Sequence, residues 1–287
     1  PTMGGLMFIL GIGIAVLTAG WEDLQNGLHN HLVVFLFALV FGAIGFVDDL
    51  QKLRHHANEG LTAPQKFLLQ LAAAIAFLCL MRYEGMLSPN LYIPFFNTHL
   101  VLPWVVYMIF AAFVIIGTVN AVNITDGIDG LSSSVTVPVA VFFAVLGGMW
   151  QGFGQLGVFA GALVGGLLGF LCYNHYPAKV FMGDTGSMFL GGVVCALGVG
   201  CGAEFLMLMA ALVYICEALS VVIQVTVFKI TKKIYHTKEG KRLFKMTPIH
   251  HHFELSGWSE LKIDVVFSLT AAVLGSGAVL LAMNMFA

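Results

Sequence analysis

The chain has 287 residues, of which 59% are hydrophobic and only 10% charged, and its mean hydropathy is +0.92. A soluble domain carries about 25% charged residues, so this composition excludes an ordinary soluble protein and describes an all-α polytopic membrane protein. The formal net charge of -2 says little as a total, whereas the placement of the charges says a great deal.

The sequence opens at Pro1 without Met or a signal peptide and reads as starting partway through a larger protein. A spanning helix needs about 20 apolar residues. Nine runs qualify: 3–20, 31–49, 65–81, 101–121, 133–150, 156–173, 186–203, 205–229 and 263–286. The seventh and eighth are parted only by Gly202-Ala203-Glu204. Residues 1–287 read as a single membrane domain without low-complexity tracts or a clear repeat. Its one long polar segment, 230–262, reads as a loop. Gly157, Gly161, Gly165 and Gly169 form a ladder at four-residue spacing, a close-packing face that is either internal or builds a homodimer. The five Cys sit in or beside apolar runs without metal-ligand spacing and read as buried thiols.

Nine spans sort the loops onto two sides. Of the 13 Lys and Arg, 12 fall on one side, including Lys52, Lys66, Lys229, Lys238 and Lys262, and only Arg82 falls on the other. The positive-inside rule makes the first side cytoplasmic. Asp48, Asp49, Asp126, Asp129 and Asp184 all lie on that side, each at a helix end or in a short loop. Clustered Asp and Lys at one membrane edge suggest a site for a polyanion and a divalent cation. Mg²⁺ takes one or two carboxylates plus substrate phosphates, and Lys gives point charges to phosphate oxygens.

Four stretches could carry the chemistry. Phe46-Val47-Asp48-Asp49 closes the second run, where adjacent carboxylates repel and should hold a proton or recruit a cation. A solvated helix end is the plain alternative, although the macrodipole disfavours Asp at a helix C-terminus, and Lys52 follows within one turn. The run 117–131 holds Asn120, Asn123, Asp126 and Asp129 between two apolar helices, as either a polar turn or a site. Asn174 leads to Asp184 between Gly183 and Gly186, just before a helix, where Asp184 is an N-cap, a metal ligand or both. His250-His251-His252 lacks the i, i+4 spacing of a zinc helix and reads as a proton-transfer or phosphate-binding cluster, or as loop His. Glu217 falls mid-span, and the plainer reading is a protonated acid bonded to a neighbouring helix.

With these residues placed, the chain resembles the phospho-N-acetylmuramoyl-pentapeptide transferases, members of a wider group of polyprenyl-phosphate sugar-1-phosphate transferases. The motifs that carry the resemblance are Pro1-Thr2-Met3-Gly4-Gly5, Gly45 to Asp49, Asn120 to Gly130, Val180 to Asp184 and Met246 to Glu254, in that order and spacing. It covers nearly the whole chain. Phe253 stands where the family commonly has Tyr. Members carry a further helix and a basic segment ahead of the Pro-Thr-Met-Gly-Gly motif, making ten helices.

The resemblance implies a Mg²⁺-dependent enzyme of the bacterial cytoplasmic membrane, with its active site facing the cytoplasm. It would move phospho-MurNAc-pentapeptide from UDP to undecaprenyl phosphate, giving lipid I and UMP, with no nucleic-acid partner. It also implies Asp184 and Asn123 as metal-side residues. Asp48, Asp49, Asp184 and His250 to His252 match catalytic positions. Lys52, Lys66, Asn120, Asn123, Asp126, Asp129, Asn174 and Phe181 match substrate-binding ones. Two rivals stand: a sibling transferase using UDP-N-acetylglucosamine, and an anion or lipid-head-group transporter. A transporter should gather its polar groups mid-membrane at broken helices, whereas here they collect at one edge.

Overall fold

The computed structural model describes residues 3–55, 60–150, 152–236 and 239–285. Pro1 and Thr2 of the opening motif, Lys238 and the last residue of the 263–286 run lie outside them. The order is α1 (Gly5–Ala19), α2 (Trp21–Gln25), α3 (Asn30–His55), α4 (Ala63–Tyr83), β1 (Asn90–Ile93), β2 (Thr98–Val101), α5 (Trp104–Thr125), α6 (Leu131–Met149) and α7 (Gly154–Asn174). There follow α8 (Gly183–Gly200), α9 (Glu204–Ala210), α10 (Leu212–Ile234), α11 (Ile249–Glu254) and α12 (Glu260–Met285). Among the described residues, eight helices are long and apolar enough to cross a membrane: α3 to α8, α10 and α12. α1 is a shorter apolar helix of 15 residues. At 1.5 Å per residue it reaches about 22 Å, short of the roughly 30 Å hydrocarbon core.

α8 is the centre of the bundle. Thr185 to Val199 are buried without a break, as suits a helix that is apolar or small on every side. α3 lies closest to it. A Cβ on Gly45 would collide with the Asp184 carbonyl, so only glycine lets the two backbones meet at the start of α8. α1 packs on the same end. Gly4 N–H donates to the Phe181 carbonyl (2.7 Å), Gly5 N–H donates to that of Met182 (3.1 Å), and a Cβ on Gly5 would lie 2.5 Å from Gly186. The glycines of the opening motif are thus a backbone-to-backbone seat for the Phe181–Gly186 segment.

Several expected boundaries move. α3 continues to His55, so Asp48 and Asp49 lie inside a helix and not at its end. α5 runs to Thr125, which puts Asn120 and Asn123 on its last turns and leaves Asp126 to Gly130 as the actual turn. The 205–229 run is broken into α9 and α10 at Ala211. Glu204 opens α9, and buried Tyr107 donates to its carboxylate at 2.5 Å. The 230–262 segment is shorter as a loop, because α10 extends to Ile234 and the His triplet forms α11. A small antiparallel hairpin, Asn90↔Val101 through Ile93↔Thr98, precedes α5, with Asn97 left-handed (φ 43°) at its turn. It shortens the 101–121 run from the front.

In the glycine ladder, only Gly157 faces a neighbour, Gly147. Among the described residues, a Cβ at Gly161, Gly165 or Gly169 would meet nothing within 4 Å. The ladder is therefore not an internal packing face over those three positions.

Candidate active site

The chemistry-bearing residues meet at one end of the bundle, where α3, α5 and α10 finish and α4, α8 and α12 begin. α4 starts at a strong local signal. Pro64 sits in its first turn, and the Gln65 side chain accepts the Thr62 N–H at 3.0 Å. That start fixes Lys66 on the first turn, and Gln70 one turn later on the same face.

Asp48, Asp49 and Asp184 present one carboxylate oxygen each, all within 4.8 Å of one another, and the three can hold a metal ion. Two ammonium groups already converge there. Lys52 Nζ lies 2.7 Å from Asp48 Oδ2 and 3.1 Å from Asp184 Oδ2. Lys66 Nζ lies 3.3 Å and 2.7 Å from the same two atoms. Asn123 Nδ2 donates to Asp184 Oδ1 (3.0 Å) and to Ser187 Oγ (2.8 Å). Three carboxylates against two lysines leave an excess of one negative charge by formal count. That excess suits a divalent cation better than a further basic side chain.

The Asp48-Asp49 pair is not a free, mutually repelling pair. The two side chains diverge to separate partners. Asp48, 1% exposed, takes the Leu61 N–H on Oδ1 (2.8 Å) and both lysines on Oδ2. Asp49 accepts the N–H of Asp184 (3.1 Å), the N–H of Thr185 (2.9 Å) and the Thr185 hydroxyl (2.7 Å). These are the orphan donors at the start of α8, so Asp49 caps that helix from a different one and sits at the positive end of its dipole. Gly183 is left-handed (φ 68°) with its missing Cβ facing Asp49 at 2.7 Å, which lets the carboxylate close on the helix start. Asp184 is not an N-cap. Met182 holds that position, and the Asp184 side chain turns outward to the lysines and Asn123.

The remaining expected residues divide into two groups. Asp126 is half-buried beside this centre, and burial together with the charges of Asp184 and Asp49 raises its pKa to about 7. Asn120 donates to Gln70 Oε1 (2.7 Å) and to the Ile116 carbonyl (2.8 Å), bridging α5 to α4. Asp129 Oδ2 accepts the Ala178 N–H (2.7 Å). Asn174, 2% exposed, takes the Ser133 hydroxyl (3.0 Å) and donates to the Val180 carbonyl (3.0 Å). Asp129 and Asn174 therefore brace the 174–183 segment, while Phe181 projects from it, 47% exposed.

The three His separate, as consecutive residues on a helix must. His250 is fully buried, with Nδ1 3.0 Å from Glu217 Oε2. His251 Nδ1 lies 2.9 Å from Glu254. His252 Nδ1 accepts the Lys245 N–H at 3.1 Å. Glu217 thus bonds to α11 and not to another spanning helix.

Two participants went unread in the sequence. Gln70 is buried against Asn120, and its signal is a lone amide in the apolar 67–81 run, four residues after Lys66. Asp264 is 4% exposed inside α12 and lies against the Gly130 turn. Its signal is a single carboxylate in an otherwise apolar run.

Beside the charged centre, an apolar groove of about 580 Å³ runs between α4 and α5. It is walled by Phe67, Leu71, Met108 and Phe113 and extends from Gly117 and Asn120 at the charged end to Trp104 and Arg82 at the other. Sixteen residues of α5 separate its ends, or about 24 Å at 1.5 Å per residue.

Residues 31–202 match the family described as Glycosyl transferase family 4. The chain is also similar to curated proteins named phospho-N-acetylmuramoyl-pentapeptide-transferase. The one from Clostridium acetobutylicum is 44% identical over 276 residues, 96% of this chain and 82% of the relative. That from Clostridium botulinum strain Alaska E43 is 45% identical over 276 residues, 96% and 80% of the two chains. That from Staphylococcus carnosus is 42% identical over 278 residues, 96% and 83%. With identity at this level across the span that holds both the acidic centre and the His helix, the chain is an integral membrane protein of the phospho-N-acetylmuramoyl-pentapeptide-transferase family, within Glycosyl transferase family 4.

Proposed function

We propose that this protein transfers phospho-MurNAc-pentapeptide from UDP to undecaprenyl phosphate at the cytoplasmic face of the bacterial inner membrane, releasing UMP and lipid I. The observation that carries this reading is the juxtaposition of two unlike features. A carboxylate–lysine centre built for phosphates sits at the head of a membrane-depth apolar groove. A water-soluble nucleotide and a membrane-bound prenyl phosphate can meet there without either crossing the bilayer.

The nucleophile is an oxygen of the lipid phosphate. It forms a bond to the sugar-bearing phosphorus of the donor, and the bond from that phosphorus to the UMP oxygen breaks, so UMP leaves with the electron pair. Both reactants are anions, and positioning with charge neutralisation supplies most of such catalysis. Lys66 lies in the first turn of α4, next to Phe67 of the groove wall, and its ammonium steadies the lipid phosphate. Lys52, opposite it, faces the same phosphates. A phosphate monoester has its second pKa at about 6, so the nucleophile needs little help losing its proton. Asp48 is already ion-paired to both lysines, and it orients them rather than abstracting a proton. Mg²⁺ held by Asp184 and its neighbours, with Asn123 on the same side, would supply charge neutralisation to the donor pyrophosphate. Asp126 and Phe181 flank the nucleotide side of this centre. The prenyl chain lies in the α4–α5 groove.

UMP release in detergent–lipid micelles tests this, with UDP-MurNAc-pentapeptide, undecaprenyl phosphate and Mg²⁺, and with Asp184→Ala alongside. Release that depends on lipid and disappears with EDTA and in the variant is expected. Release only with UDP-N-acetylglucosamine would replace the donor, and a folded protein inert to both would end the enzyme reading.

A further inference from the structure

Glu217 and His250 are both fully buried, 3.0 Å apart, and stand outside the phosphate centre. Glu217 Oε2 and His250 Nδ1 share one hydrogen bond, which fixes the orientation of the ring whichever of the two groups carries the proton. The ring is thereby locked, and its far edge is aimed away from Glu217. That edge abuts Gly127. A Cβ there would collide with His250 Nε2 and would lie 2.6 Å from Cε1. Gly127 is the residue after Asp126 in the turn that also carries Asp129. The other side of the turn is tied by Asp129 to the Ala178 N–H at 2.7 Å. The Asp126–Asp129 turn is therefore clamped from two sides. One clamp is visible as a hydrogen bond, and the other is a buried imidazole edge with no room to spare.

We infer that Glu217 is a positioning residue for the nucleotide donor: through His250 it wedges the Asp126–Asp129 turn at the distance from Asp184 that the donor requires. The inference rests on the transferase reading above and adds to it a residue on a helix, α10, that places no side chain in the phosphate centre. A carboxylate buried only to pair with a His would be a costly way to hold a helix. An apolar pair of similar volume would pack α11 as well, but it would not fix one ring orientation.

The test measures UMP release while donor and lipid are varied separately. Glu217→Met keeps the volume and removes the acceptor. It is expected to raise KM for UDP-MurNAc-pentapeptide about tenfold and leave KM for undecaprenyl phosphate unchanged. Glu217→Gln, whose amide can accept from or donate to Nδ1, stays within about threefold of the native protein. Should the methionine variant not accumulate, Glu217→Asp carries the same expectation, because it draws the carboxylate back by one methylene. In a second arm, Gly127→Ala raises donor KM about tenfold beside His250 but adds under about twofold beside His250→Ala, as contacting residues couple. Unchanged donor KM in a folded Met or Asp variant overturns the inference. So do equal rises in both KM values, or additive effects of Gly127→Ala and His250→Ala. A native protein that does not turn over the donor removes the transferase reading, and this inference with it.

Discussion

Asp49 offers the sharpest test of how the site is built, because the carboxylate that lies within reach of the acidic centre also holds the start of α8. Its carboxylate, 8% exposed, takes two backbone N–H groups and one hydroxyl at the start of α8. Truncation by Asp49→Ala leaves those donors in a buried place. An unsatisfied buried donor costs about 1–3 kcal/mol, and loss of a carboxylate at a helix N-terminus costs about 0.3–1 kcal/mol more. With the hydroxyl free to turn to another acceptor, two backbone donors remain, and the total is about 2–7 kcal/mol. For a protein of this size, at under about 2 °C per kcal/mol, that corresponds to a fall in Tm of about 4–12 °C. Of the five Cys expected to be buried, only Cys195 and Cys201 are, while Cys79, Cys172 and Cys216 are exposed, so with those three replaced by Ser, labelling by a thiol-reactive dye during heating reports the loss of structure. Asp49→Asn should recover about half of the loss, because one amide oxygen still accepts. An Asp49→Ala protein with native Tm and abolished UMP release would refute the capping assignment and make Asp49 a reacting group.

Three further outcomes follow from the same geometry. Gly45→Ala pushes a methyl group into the Asp184 carbonyl and should cost about 1–3 kcal/mol as overpacking, while Gly161→Ala, with open space at its Cβ, should leave the melting curve unchanged. Gly117→Trp fills the groove beside Asn120 and should raise KM for undecaprenyl phosphate about tenfold with little effect on a short-chain prenyl phosphate; equal effects on both would remove the tail from this groove. Asp126, with its pKa raised to about 7, holds its proton more tightly folded than unfolded. Its contribution to stability is complete below its unfolded pKa of about 3.9 and is lost as pH rises through 7. In metal-free protein, Asp126→Asn should flatten the decline in Tm between pH 5 and about 8, and an unchanged slope would contradict the shift.

Much of the architecture was legible because the bilayer makes it so. A segment in hydrocarbon must satisfy its own backbone, so an apolar run of spanning length is a helix, and a loop's Lys content marks its side. The same logic gathered Asp48, Asp126 and Asp184 onto one face before any coordinates. Helix ends were harder. Asp48 and Asn123 look like terminators in sequence, yet both lie within helices, because tertiary partners accept polar side chains there that lipid would not. Residue type gathered the five Asp at one charged edge without telling their contacts apart. Only the fold separates Asp184, which faces the lysines, from Asp49, which caps a helix, and Asp129, which braces a loop.

The sequence by itself determined where the apolar segments lie, the charged edge and the chemistry available there, since these depend on composition and on the energy of placing charge in lipid, although it did not show that α1 stops short of spanning length. Tertiary structure alone decided which carboxylate meets which donor. It also decided that Glu217 reaches His250 and that α4 and α5 leave a groove open beside the phosphate centre. Those outcomes depend on distances of a few ångströms between segments up to 136 residues apart, and pairing at that separation is set by close packing of the helices, which no local run of residues encodes.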